Sequence, residues 1–150
     1  MRPIKKLFTI FVIAFILNLI WENAQAPLYQ GYISFAQHFW ICLPASIWDA
    51  SYITTVYLAM RFVDRTVRLI QKTPDQEKSV SPVLMTIAVI ALGLMTAGYI
   101  ELRALAQDHW AYSAAMPLVP VIHVGLTPFL QLAILSLVTY TLISASSTKK

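Results

Sequence analysis

Apolar residues fill four stretches of the chain, at about 4–26, 39–63, 82–102 and 116–143. Each is long enough to cross a bilayer, since about 20 residues rising about 1.5 Å apiece span a hydrocarbon layer about 30 Å thick. Lys5 and Lys6 can snorkel at the start of the first stretch, and Pro27 is a natural stop for it. Between the second and third stretches lies RFVDRTVRLIQKTPDQEKSVS, the only strongly charged segment. It predicts a solvated helical extension and a turn at Thr73-Pro74-Asp75, within a cytoplasmic loop over 64–81. The expected fold is all-α: one polytopic membrane domain over residues 1–150 with four transmembrane helices.

Composition sharpens this picture. Of 150 residues, 58% are hydrophobic and 12% charged, against roughly a quarter charged in soluble domains. A water-soluble globule is excluded. A single cysteine leaves neither an internal disulfide nor a cysteine-ligated zinc site. Lys and Arg resist translocation, and here they gather on one side: Arg2, Lys5 and Lys6, then Arg61, Arg65, Arg68, Lys72 and Lys78, then Lys149 and Lys150. Only Arg103 falls in a loop on the other side. Both termini and the central loop are therefore expected in the cytoplasm, in a multi-pass membrane protein. The net charge of +4 belongs to this inner rim, which faces anionic lipid headgroups, and nucleic acid is not needed to explain it. A cleaved signal peptide over 1–26 is the competing reading, from Ala24-Gln25-Ala26. Pro27 behind that site, and Asn18, Trp21 and Glu22 within the segment, argue for a retained helix.

The remaining ionisable groups fall in the outer half: Glu22, Asp49, Glu101 and Asp108, with His38, His109 and His123. A carboxylate inside a membrane costs at least about 2.5 kcal/mol on insertion scales, so Asp49 should face the bundle interior with a partner. Helical spacing gathers three polar stripes: Asn18, Glu22, Gln25 and Tyr29 on the first span, Ser46, Asp49 and Tyr52 on the second, and His123, Thr127 and Gln131 on the fourth. Turning them toward one another buries all three. The third span offers Glu101 at its outer end, with Gly93 and Ala97 as a small-residue step for close helix contact. The expectation is a polar chamber with Glu22 and Asp49 as its working acids. Its aromatic rim would comprise Trp21, Tyr29, Trp40, Trp48, Trp110 and Tyr112, although such residues also anchor helices at interfaces. His38 and His109 read as ordinary interfacial residues. Each hairpin carries a Glu, a His and a Trp in corresponding places, a weak sign of internal duplication. No metal-binding spacing, glycine-rich nucleotide loop or nucleophile elbow occurs, so neither a metal nor a cofactor is expected.

Two strings carry a resemblance. NLIWENAQAPLYQ (Asn18 to Gln30) and HWAYSAAMPLVPVIHVGLTPFLQ (His109 to Gln131) resemble the signatures of a family of small bacterial four-span membrane proteins. That resemblance implies the fold and the membrane, and no particular chemistry. Asn18-x-x-Trp21-Glu22 is similar to the N-x-x-W-E element of integral-membrane terpene cyclases, in which the Glu resembles a proton donor that starts cyclisation. The stretch from Trp110 and Tyr112 to Pro128 and Gln131 is similar in layout to membrane-embedded lycopene cyclases, with Gln131 where those carry a Glu.

The resulting expectation is a membrane enzyme acting by acid/base chemistry on an isoprenoid or lipid-like substrate. Glu22 is the expected proton donor and Asp49 its partner or accepting base. Asn18, Trp21, Gln25, Trp48, Tyr52, Glu101, Trp110, Tyr112, His123 and Gln131 are the expected substrate contacts. Membrane lipid and a hydrophobic small molecule are the expected partners, and four spans can complete a chamber as a homo-oligomer. Two other readings use the same residues: a transporter or binding protein for a small solute, and a noncatalytic membrane assembly partner.

Overall fold

In a computed structural model, residues 3–70 and 79–147 are described, and they are all-helical with no strands. Helix α1 spans Pro3–Gln25, α2 Phe35–Ile70, α3 Pro82–Ala106 and α4 Leu126–Ser147. Three segments, Ile4–Leu28, Pro82–Ala106 and Leu126–Ser146, are long and apolar enough to cross a membrane. The expected turn at Thr73-Pro74-Asp75, together with Arg2, Lys72, Lys78, Lys149 and Lys150, lies outside the described residues.

Pro27 ends α1, as its missing amide and fixed φ dictate, through a 3-10 turn over Ala26–Leu28. Tyr29 consequently does not extend the α1 stripe. It pairs instead with Tyr112 across an antiparallel bridge. The second helix begins at Phe35, one turn before the expected span, and continues to Ile70 as the expected helical extension. At that end Asp64 accepts from Arg68 at 3.1 Å and from the backbone amide of Val80 at 3.2 Å, which ties the end of α2 to the approach to α3.

The fourth helix departs most from expectation. Residues 116–125 are not helical. Pro117 and Pro120 supply no amide hydrogen, and the chain folds into a small hairpin with Leu118 paired to Gly125. Val119 donates to the carbonyl of Val124 at 2.8 Å, and Val121 and His123 take the left-handed backbone region, at φ 76° and 53°. His123 therefore leaves the stripe it was expected to share with Thr127 and Gln131.

Packing runs α2, α1, α4, α3. The hairpins α1–α2 and α3–α4 each pack along their length, and α1 joins α4 between them. Ala14 on α1, Ala50 and Ile53 on α2 and Leu135 on α4 form a buried core ringed by Phe11, Phe15, Trp21 and Tyr140. Elsewhere large apolar side chains such as Ile20, Phe62, Met95 and Leu142 face outward, as lipid contact requires. Gly93 sets the α3–α4 spacing. A Cβ there would lie 2.6 Å from the amide nitrogen of Ala133 and 2.7 Å from its Cα. Those are backbone atoms and cannot swing aside.

Gly93→Ala should therefore push α3 off α4 and cost about 1–3 kcal/mol, as overpacking does. Gly98→Ala, whose Cβ would meet only the Phe129 ring at 3.2 Å, should cost less. Reversible unfolding in mixed micelles compares the two.

Candidate active site

The polar groups of α1, α2 and α4 meet at one side chain. Gln131, one turn into α4 and buried, presents its Nε2 to three oxygens: Asn18 Oδ1 at 3.0 Å, Glu22 Oε1 at 2.8 Å and Asp49 Oδ2 at 2.8 Å. Its Oε1 accepts from Gln25 Nε2 at 2.9 Å. An amide nitrogen carries two hydrogens, so three oxygens compete for them. Helical geometry explains the convergence. Asn18, Glu22 and Gln25 repeat at one face of α1, and the antiparallel packing of α4 brings Gln131 level with them.

Beside this knot lies a cavity of about 460 Å³. Glu22, Gln25, Asp49 and Gln131 form its polar wall, and Ile41, Cys42, Ala45, Ala97, Ile100 and Leu132 its apolar one. Glu101, buried near the end of α3, is a third carboxyl on the same cavity. It accepts from Trp110 Nε1 at 3.3 Å and from the Tyr112 hydroxyl. Every donor given to the three acids is neutral, and no Lys or Arg lines the cavity.

The two loops at this end are stitched together. Gln30 donates its amide to the Ala111 carbonyl at 2.8 Å, and Ser113 donates to the Leu28 carbonyl at 2.9 Å. Gln30 Nε2 adds a bond to the Tyr112 carbonyl at 3.0 Å. Tyr29 packs against the rings of Trp110 and Tyr112, with centroids 6.2 Å and 5.6 Å away. Burial, and then the neighbouring Glu101 charge, push the Tyr29 hydroxyl above the ordinary phenol range. Burial and the hydrogen bond to Glu101 do the same for Tyr112. Both stay protonated, so each remains a donor at the loop end.

Not all expected contacts reach the cavity. Glu22, Gln25, Asp49, Glu101, Trp110 and Gln131 line it, as does Tyr29. Asn18 stands behind the wall, accepting from Gln131 and donating to the Ala14 carbonyl. Tyr112 acts through Glu101. Trp21 is half-buried and donates to Gln25 Oε1 at 3.2 Å, while Trp48, 77% exposed, points away from the bundle with Trp40. Tyr52 is bonded to Thr96 of α3. His123 is exposed, with Nδ1 3.1 Å from the Val121 carbonyl, and it pairs with neither acid. Conversely His38 and His109, read from the sequence as ordinary interfacial residues, line the cavity, as does Cys42, which was not singled out. Cys42 lies seven residues before Asp49, two turns along the same face, so its position was available from spacing. Among the described residues no group of three or more His, Cys, Asp and Glu is placed to hold a metal ion.

Removing the amide should expose the coupling. Gln131→Leu leaves Asp49 without its donor, so it should cost about 1–3 kcal/mol. In a double-mutant cycle with Asp49→Leu the two effects should be non-additive by at least about 0.5 kcal/mol. Chemical unfolding of the four proteins measures this, and additivity would dissolve the network.

Comparison with protein families, with characterised proteins and with solved structures finds no match to this chain.

Proposed function

We propose that the protein is a membrane enzyme that isomerises or cyclises a small, largely apolar molecule by proton transfer, with Glu22 as the acid and Asp49 as the base. The observation that carries this reading is the single nitrogen of Gln131 placed 2.8 Å from both carboxyl groups at the wall of a mostly apolar cavity. Glu22 would give its proton to a double bond of the substrate, and the cation formed would lose a proton to Asp49. Substrate and product are then isomers, so no co-reactant is consumed. Gln131 donates to whichever carboxyl is ionised and needs no rearrangement between the two states. Trp110 and Tyr29, on the cavity wall, offer ring faces to the cation. The likeness of Asn18-x-x-Trp21-Glu22 to the terpene-cyclase element supports the same assignment for Glu22.

A cavity of about 460 Å³ suits one ligand of ordinary small-molecule size. The inner half of the bundle argues against a through-path. Thr55 and Thr141 spend their hydroxyls on their own helices, on the carbonyls of Ser51 and Leu137, each at 2.8 Å. A second reading, binding of a cationic solute, is favoured by the three acids and the lack of any Lys or Arg on the wall.

In this proposal α2 crosses the bilayer with the other three helices, both termini lie in the cytoplasm, and the stitched loops face outward from a bacterial inner membrane. Single cysteines at positions 34 and 113 in a Cys42→Ala background should then react with an impermeant thiol reagent in intact cells, and one at position 65 should not. The reverse pattern inverts the orientation.

Glu22→Gln keeps the shape and hydrogen bonding of the side chain and removes its proton. A strain lacking the gene, complemented with wild type, should convert one lipid-extractable compound to an isomer of equal mass, detected by chromatography with mass spectrometry. Complementation with Glu22→Gln should reduce that conversion by about 10²–10⁴-fold. Full conversion by Glu22→Gln ends the acid-catalysis reading. A complemented strain showing no isomer, with Glu22→Gln losing affinity for alkylammonium ions, establishes the cation-binding reading instead.

A further inference from the structure

The cavity has an open side. Helices α2 and α3 supply its two flanking walls, yet they pack on α1 and α4 and scarcely on each other. The one hydrogen bond given between them is from Thr96 Oγ1 to the Tyr52 hydroxyl at 3.1 Å. Tyr52 is one turn inward of Asp49, so that bond closes the gap beneath the acids and leaves it open above them. Along the open part the facing residues are small or apolar: Cys42 and Ala45 on α2, Ala97 on α3. Ile41 and Ile100 line the cavity and are nevertheless 63% and 43% exposed, which makes them the two lips of the gap. Meanwhile the loop end is crossed by the Tyr29–Tyr112 bridge and its backbone bonds.

We propose that the cavity is entered sideways from the lipid, between α2 and α3 over the Tyr52–Thr96 bond, by a non-anionic single-chain amphiphile. Its polar end reaches Glu101, its double bond lies beside the Glu22–Asp49 pair, and its chain lies in the gap past Ile41 and Ile100. Charge decides the headgroup. Among the described residues the cavity wall carries three carboxyl groups, the imidazoles of His38 and His109, and no Lys or Arg, so a phosphate or carboxylate would meet no fixed positive charge, whereas an amine or hydroxyl would find acceptors. The gap itself is apolar, as a passage for a hydrocarbon chain requires. The choice of polar end rests on the acid/base reading of Glu22 and Asp49, whereas the route of entry does not.

Cys42, the sole cysteine, lies on the cavity wall and reports entry. The full chain in phosphatidylcholine vesicles is treated with N-dodecylmaleimide, and intact mass follows alkylation. Ile41→Trp with Ile100→Trp should narrow the gap and slow labelling on the order of tenfold, the scale of an overpacking barrier. Ile41→Ala with Ile100→Ala should speed it. As a check on folding, a cysteine at lipid-facing position 48 in a Cys42→Ala background should label at the same rate with or without the Trp pair. Dodecylamine at equal mole fraction in the bilayer should slow Cys42 labelling several-fold, and dodecyl phosphate should not. Labelling unchanged in both lip variants, or an impermeant maleimide sulfonate that labels Cys42 as fast as the dodecyl reagent, overturns lateral entry. Equal protection by dodecyl phosphate overturns the headgroup assignment. Cys42 labelling reads entry and isomer formation reads chemistry, so a variant that labels at the wild-type rate and does not convert has lost chemistry and not entry.

Discussion

One carboxamide organises the end of this bundle that holds the cavity. The Gln131 side chain engages residues from α1 and α2 while standing on α4, so it ties together both helical hairpins at the level where apolar packing alone would leave the acids unsatisfied. A charged partner would neutralise Glu22 and Asp49 and fix them as an ion pair. A neutral donor satisfies them and leaves their protons exchangeable. An apolar residue at this position would leave Asp49 without its donor, and Glu22 with Gln25 alone, in a medium that penalises unpaired polar atoms. The identity of residue 131 thus decides how well the cavity wall is satisfied.

The same logic recurs on the far wall with different materials. Glu101 is held by a phenol and an indole from the loop that follows α3, and both rings also pack on Tyr29 of the other loop. Loop closure is thereby linked to the placement of an acid. Gly93, on the same helix, lets α3 approach α4 closely enough for Glu101 to face the cavity that Gln131 borders. Acid placement on α3 therefore depends on the absence of a Cβ about two turns away.

Much of this was legible in the chain. The apolar runs give α1, α3 and α4, and steps of three and four residues place Asn18, Glu22, Gln25, Ser46 and Asp49 on inward faces, because a helix repeats every 3.6 residues whatever surrounds it. Periodicity failed where the backbone stopped being a helix. At Tyr29 the signal was Pro27, which ends α1 just before it. At His123 it was the pair Pro117 and Pro120, whose lost amides favour a hairpin over a bent helix, and an apolar run alone does not distinguish the two. Trp48 carried no usable signal, since an indole serves equally as a lipid anchor or a pocket wall and only packing decides. His38 and His109 come from loops and a helix start, where contact depends on how two distant turns meet, and no local spacing encodes that.

The arrangement also explains why so few polar residues suffice. In the described part of the chain the single ion pair, Arg68 with Asp64, lies at the opposite end from the cavity. There Arg68 holds Asp64, which also accepts from the Val80 amide and so ties α2 to the approach to α3, while the donors to the three cavity acids are neutral. Arg103, near the cavity end of α3, is exposed and donates to the Tyr99 hydroxyl, which leaves Glu101 to its neutral donors. A Lys or Arg turned into the cavity would instead lock Glu22 or Asp49 in its ionised form. Keeping cations off the cavity wall is therefore what lets neutral donors alone satisfy its acids.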